Sequence, residues 1–121
     1  MLNRKVEGEH IVFTDGAAHV LTMTEKETEE GVLINLKGSL RSDVAHDFQD
    51  ELIAMTTVGA NVILEFQDVT YVAPSVQHSL LIVQQKMDAM GMGSLTLRKM
   101  PAEIYREFEK SGEADLLMIE R

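Results

Sequence analysis

Residues 61–91, NVILEFQDVTYVAPSVQHSLLIVQQKMDAMG, place an apolar strand, a short loop and an amphipathic helix in direct succession. Val62, Ile63 and Leu64 run together without alternation, the pattern of a strand buried on both faces, and such strands sit centrally in sheets with helices against them. A central strand is therefore predicted over residues 61–66 and a loop over 67–74. Beyond it Val76, Leu80, Val83, Met87 and Met90 recur at spacings of four and three, with Leu81 and Ile82 widening the stripe and Gln77, Gln84, Gln85 and Asp88 facing away. Gly91 and Gly93 end this helix. Ser75 stands at the hinge, where a hydroxyl can cap a helix or act as a switch.

The remaining segments arrange themselves around this unit. His10, Ile11, Val12, Phe13 and Thr14 and then residues 18–23 are strand-like, and Asp15–Gly16 between them is a favoured hairpin turn. Residues 24–31, TEKETEEG, read as the solvated loop of a second hairpin. Val32, Ile34, Leu36 and Leu40 alternate with polar residues as one buried face of a strand, interrupted at Gly38 by a bulge or turn. Ser42 reads as a helix N-cap with Asp43 in the first turn. Ala45, Phe48, Leu52 and Met55 form the inner stripe of that helix, Asp43, Asp47, Asp50 and Glu51 lie largely outside it, and Gly59 is a C-terminal stop. After the long helix come a short strand at 94–97, a helix opened by Pro101 with Ile104 and Phe108 inward, a stop at Gly112, and a last strand at 116–119. Strands come first, followed by alternating helices and strands, which implies an α/β fold: a mixed sheet with right-handed parallel crossovers.

A chain of 121 residues, 45% hydrophobic, can bury one core without metal or disulfide staples. One domain over residues 1–121 is expected. The absence of cysteine excludes disulfides, thiolate metal sites and thiol nucleophiles. A formal charge of −9 repels phosphate backbones and anionic lipid, which argues against nucleic acid and direct membrane binding. No run approaches the length of a membrane span and no signal-peptide pattern opens the chain, so a cytoplasmic location is the expectation.

Taken with the element order, the segments VLINLKGSL (32–40), VILEF (62–66), VTYV (69–72) and FEKSG (108–112) resemble the STAS domain of bacterial anti-sigma factor antagonists. The resemblance covers residues 18–121, leaving 1–17 as an N-terminal strand extension. It implies a STAS-like mixed sheet with helices packed against it, plus an extra N-terminal hairpin. It further implies a non-enzymatic protein–protein interaction domain in bacterial signalling and transcription regulation. Its partner would be an anti-sigma factor that doubles as a serine kinase. In that family the loop after the central strand carries an aspartate, two hydroxyl positions and glycines, and the second hydroxyl is phosphorylated. Aligned on 69–72, Ser75 keeps the phosphoacceptor position. Ala73 replaces the aspartate, Val76 and His78 replace the glycines, and Arg41 replaces the aspartate that follows the Gly-x-Leu segment. These departures argue against a phosphorylation cycle and leave the fold assignment standing.

The expected contact surface is Ala73, Pro74, Ser75, Val76, Gln77 and His78 with the neighbouring turn Ser39, Arg41 and Asp43. Three readings of Ser75 remain open: a structural cap, an unmodified partner contact and a phosphorylated switch. His78 lies about one helical turn beyond it, but no orienting acid, oxyanion hole or glycine-flanked serine accompanies the pair, so a nucleophile is not expected. His46 with Asp43, Asp47 and Asp50 matches no metal signature and reads as a solvated acidic face. Met87, Met90, Met92 and Met100 serve as core packing or as an adaptable interface. No catalytic set, cofactor or metal is expected. The alternative role is an accessory subunit of a transport system or a small-ligand sensor, and the N-terminal hairpin either covers a sheet edge or forms a homodimer.

Overall fold

The computed structural model describes residues 2–56, 61–91 and 93–120, with the side chains of 55 and 56 excepted. Seven strands, β1 (Leu2–Glu7), β2 (His10–Asp15), β3 (Ala18–Thr28), β4 (Gly31–Leu40), β5 (Val62–Val72), β6 (Leu95–Arg98) and β7 (Met118–Glu120), form one sheet in chain order. The first four pair antiparallel, and β4 to β7 pair parallel. Helices α1 (Ala45–Thr56), α2 (Pro74–Met90) and α3 (Ala102–Ser111) form the three crossovers. Successive right-handed crossovers put their helices on one sheet face.

The core lies between that face and the helices. Ile34, Leu36, Leu64 and Phe66 from the sheet meet Phe48, Leu52, Val76, Leu80 and Phe108, all fully buried. Phe66 and Phe108 meet edge to face with centroids 6.4 Å apart, a geometry favoured by the ring quadrupoles. The central strand is buried on both faces as expected, with Ile63 and Glu65 on the side away from the helices only 5% and 8% exposed. Lys99 pairs with Glu65 on that side at 3.0 Å.

Several expectations need correction. A first strand, Leu2–Glu7, precedes the anticipated hairpin, and β3 runs on to Thr28, so the acidic stretch is mostly strand and its turn is Glu29 and Glu30 alone. The β2–β3 turn is Gly16–Ala17, one residue beyond the expected Asp15–Gly16. β5 continues through the anticipated loop to Val72. Ser42 caps nothing: it opens a short 3-10 turn, Ser42–Val44, whose N-cap residue is Arg41, and α1 begins at Ala45. Pro101 is the N-cap residue of α3 rather than its first helical residue. The last strand begins at Met118, and Leu116 is exposed. The stop at Gly59, Met92 and the Met55 side chain lie outside the described residues.

Gly38 is a bulge, as its place in the strand suggests. Its φ is +120°, and the β4–β5 register shifts on both sides of it. Asn61 ties three strand ends together: its carbonyl accepts from Val32 N at 2.8 Å and its Oδ1 accepts from Ser94 N at 3.1 Å. Asn61→Ala is expected to cost about 1 kcal/mol, readable by urea denaturation, because the freed groups are open to water.

Candidate functional site

The ends of β4 and β5 and the start of α2 meet at one corner. Ser39 is paired with Tyr71 and Leu40 with Val72, and Ala73 N donates to Leu40 O at 2.8 Å. The hand-over from strand to helix is therefore held by a backbone bond. Ala73 is the N-cap residue in extended conformation, and Pro74 takes the first helical position, where its fixed φ suits the helix and its missing N–H costs nothing.

The structure divides the expected contact residues. Pro74, Ser75 and His78 are exposed, Asp43 is exposed, and Ser39 and Arg41 are half-buried. Ala73, Val76 and Gln77 are interior, at 2%, 0% and 2% exposure. They support the surface rather than form it. Gln77, expected to face away, is buried in α2, which packs against α1 and the Ser42–Val44 turn. Its Oε1 has no partner among the described residues. Met90 is corrected the other way, 65% exposed where the stripe placed it inside, while Met87 and Met100 are buried.

Ser75 is not a cap. The α2 N-cap makes no side-chain hydrogen bond, and Ser75 is the second helical residue, its carbonyl accepting from Ser79 Oγ at 3.0 Å. Val76 N and Gln77 N both turn to Ala73 O, at 3.0 and 3.2 Å. With proline ahead, the Ser75 amide is the one first-turn donor left over among the described residues. Among those residues neither Ser75 Oγ nor the His78 ring has a hydrogen-bond partner, so the two are not paired. His46 meets Asp50 at 3.3 Å, and the described residues contain no cluster able to hold a metal ion.

Arg41 is the best-anchored charge at this corner. Its Nε donates to Asp43 Oδ1 at 3.0 Å, and Nη2 donates to Asp43 Oδ2 and, at 3.4 Å, to Asp15 Oδ2. Asp43 first, and Asp15 with it, raise the guanidinium above its ordinary pKa against the pull of partial burial. Tyr71, 51% exposed, adds an aromatic face that the sequence reading did not place in the site. The signal for it was the failure of alternation after Phe66, where Gln67, Asp68, Thr70 and Tyr71 are exposed.

The corner thus presents an aromatic residue, a proline and a serine where a strand hands over to a helix. The family model described as Mlab, STAS domain, matches residues 23–119, and the chain belongs to the STAS domain family. No curated protein matches the sequence. Among solved structures, the anti-sigma factor antagonist SpoIIAA in its unphosphorylated form is 16% identical, with 82% of this chain and 88% of that one covered at a TM-score of 0.66. An anti-sigma factor antagonist from Mycobacterium paratuberculosis is 9% identical, covering 82% and 84% of the two chains at 0.72. The Bacillus cell fate determinant SpoIIAA in its phosphorylated form is 20% identical, covering 82% and 91% at 0.60. These likenesses establish the anti-sigma factor antagonist fold. The family match begins inside β3, so β1 and β2 precede it. No helix among the described residues is long and apolar enough to cross a membrane.

Proposed function

We propose that the chain is a non-enzymatic interaction domain of bacterial signalling, acting in the manner of an anti-sigma factor antagonist. Its partner is an anti-sigma factor of the serine-kinase type. The observation that carries this reading is the exposed set Tyr71, Pro74, Ser75 and His78 at the hand-over from β5 to α2, fixed to the ends of two paired strands, with no hydrogen-bond partner for Ser75 Oγ among the described residues. Aromatic and rigid residues of this kind supply contact area at low entropic cost. The names of the structural neighbours, anti-sigma factor antagonists, support the choice of partner.

The unmodified domain occupies the kinase by competition. A phosphate on Ser75 would gain the helix dipole but meet a single unused first-turn amide, and no aspartate stands at position 73. Binding, not a phosphorylation cycle, is therefore the proposed core activity. Ser75→Asp is expected to weaken binding to a purified anti-sigma kinase about tenfold, since an uncompensated charge is then carried into the contact. Equal affinities of wild type and variant in isothermal titration would sink this use of the surface.

Loss of the acid at Ala73, with Arg41 in place of the other, favours one second reading: the same surface seats the domain as an accessory subunit on a transport system. Saturable binding to a transport ATPase subunit, with none to the kinase, would establish that reading instead. The small-ligand alternative gains little, because the depression lined by Gly8, Glu9, Glu25, Lys26 and Glu27 has charged walls.

A further inference from the structure

The guanidinium of Arg41 is oriented from outside the part of the chain that matches the family. Asp15, which reaches Arg41 Nη2 at 3.4 Å, ends β2, ahead of residue 23, where the family match begins. Asp43 holds the same group side-on through Nε and Nη2. Among the described residues Nη1 has no hydrogen-bond partner, and the Arg41 side chain is 39% exposed. Two N–H donors are thus left for an outside acceptor. A guanidinium clamped between two carboxylates has lost its rotamer freedom before any partner arrives, which lowers the entropic cost of docking. Arg41 also sits one residue from Leu40, whose carbonyl receives Ala73 N, so the clamp borders that surface directly.

Charge decides what acceptor fits. The side-on pair of Arg41 and Asp43 is neutral in sum, so an incoming carboxylate would gain no net attraction and would be repelled by the Asp43 oxygens. A neutral carbonyl oxygen takes the same N–H donors without that repulsion. Resting on the reading that this corner is a protein contact surface, we propose that Arg41 is a specificity-determining residue. It donates through Nη1 to a carbonyl oxygen on the partner protein, and Asp15 of the added N-terminal hairpin is the residue that positions it.

Two measurements on the full chain test this. At low temperature, the Arg41 guanidinium N–H resonances of the free wild type are expected to be resolved, and Asp15→Asn is expected to average them while thermal denaturation shows the fold retained. In titrations with a purified anti-sigma kinase, Arg41→Ala and Asp15→Asn should each weaken binding about tenfold, Arg41→Lys should not rescue it, and the double variant should be no weaker than Arg41→Ala alone. Wild-type binding that both single variants reproduce within twofold overturns the contact. Guanidinium signals unaffected by Asp15→Asn overturn the positioning role. If the wild type itself does not bind, the surface reading fails and the Arg41 contact with it, while the resonances still decide what Asp15 does.

Discussion

Gly38→Val is expected to lower the unfolding free energy by about 3 kcal/mol or more, measured by urea denaturation. Gly38 has a φ of +120°, and a Cβ there would stand 2.3 Å from the carbonyl oxygen of Val20 on the neighbouring strand. That contact is with backbone, so no side-chain rotation relieves it. The β3–β4 ladder must open locally, or β4 must abandon its bulge. Either way the register that places Ser39 opposite Tyr71 is disturbed, because one of the register shifts lies between Gly38 and Ser39. The variant should therefore lose partner binding together with stability. A change within 1 kcal/mol on the same scale would mean that the strand accommodates the side chain and that the bulge is not required.

Phe66→Ala is expected to cost about 3–5 kcal/mol, the range for a large aromatic deleted from a core that cannot collapse around the gap. Phe66 is fully buried on β5 and meets Phe108 of α3 edge to face at 6.4 Å. The cavity would open between the sheet and the last helix, both rigid. Phe108→Ala should cost a similar amount, and the double variant should cost less than the two summed, because the second deletion enlarges an existing gap. Full additivity would show that the two rings stabilise the fold independently.

The strand–helix unit was legible because its burial pattern is local: Val62 to Leu64 without alternation, then a stripe at helical spacing. β1 was not, since LNRKVE carries two cations and a glutamate and is held by its antiparallel ladder to β2 more than by burial. The same holds for the far end of β3, whose last four residues are exposed while paired to β4. At the site, exposed Ser75, Pro74 and His78 could be placed from helical phase and hinge position. Gln77 could not, because α2 packs against α1 and the Ser42–Val44 turn, elements from an earlier part of the chain. Nor could the Asp15–Arg41 contact, which joins a hairpin end to a strand end across the sheet. Pairings set by topology leave no periodicity to read.

The location of the contact surface is the claim on which the functional reading depends. Isotope-labelled domain titrated with a purified anti-sigma kinase would map it in one experiment through backbone amide shifts. Perturbations centred on Ser39, Arg41, Asp43, Tyr71, Ser75 and His78, with little change at Thr24, Asn35 and Arg98, which share one register row across the middle of the sheet, are the expected result. Perturbations centred on that middle row, with the β5–α2 corner unmoved, would contradict it.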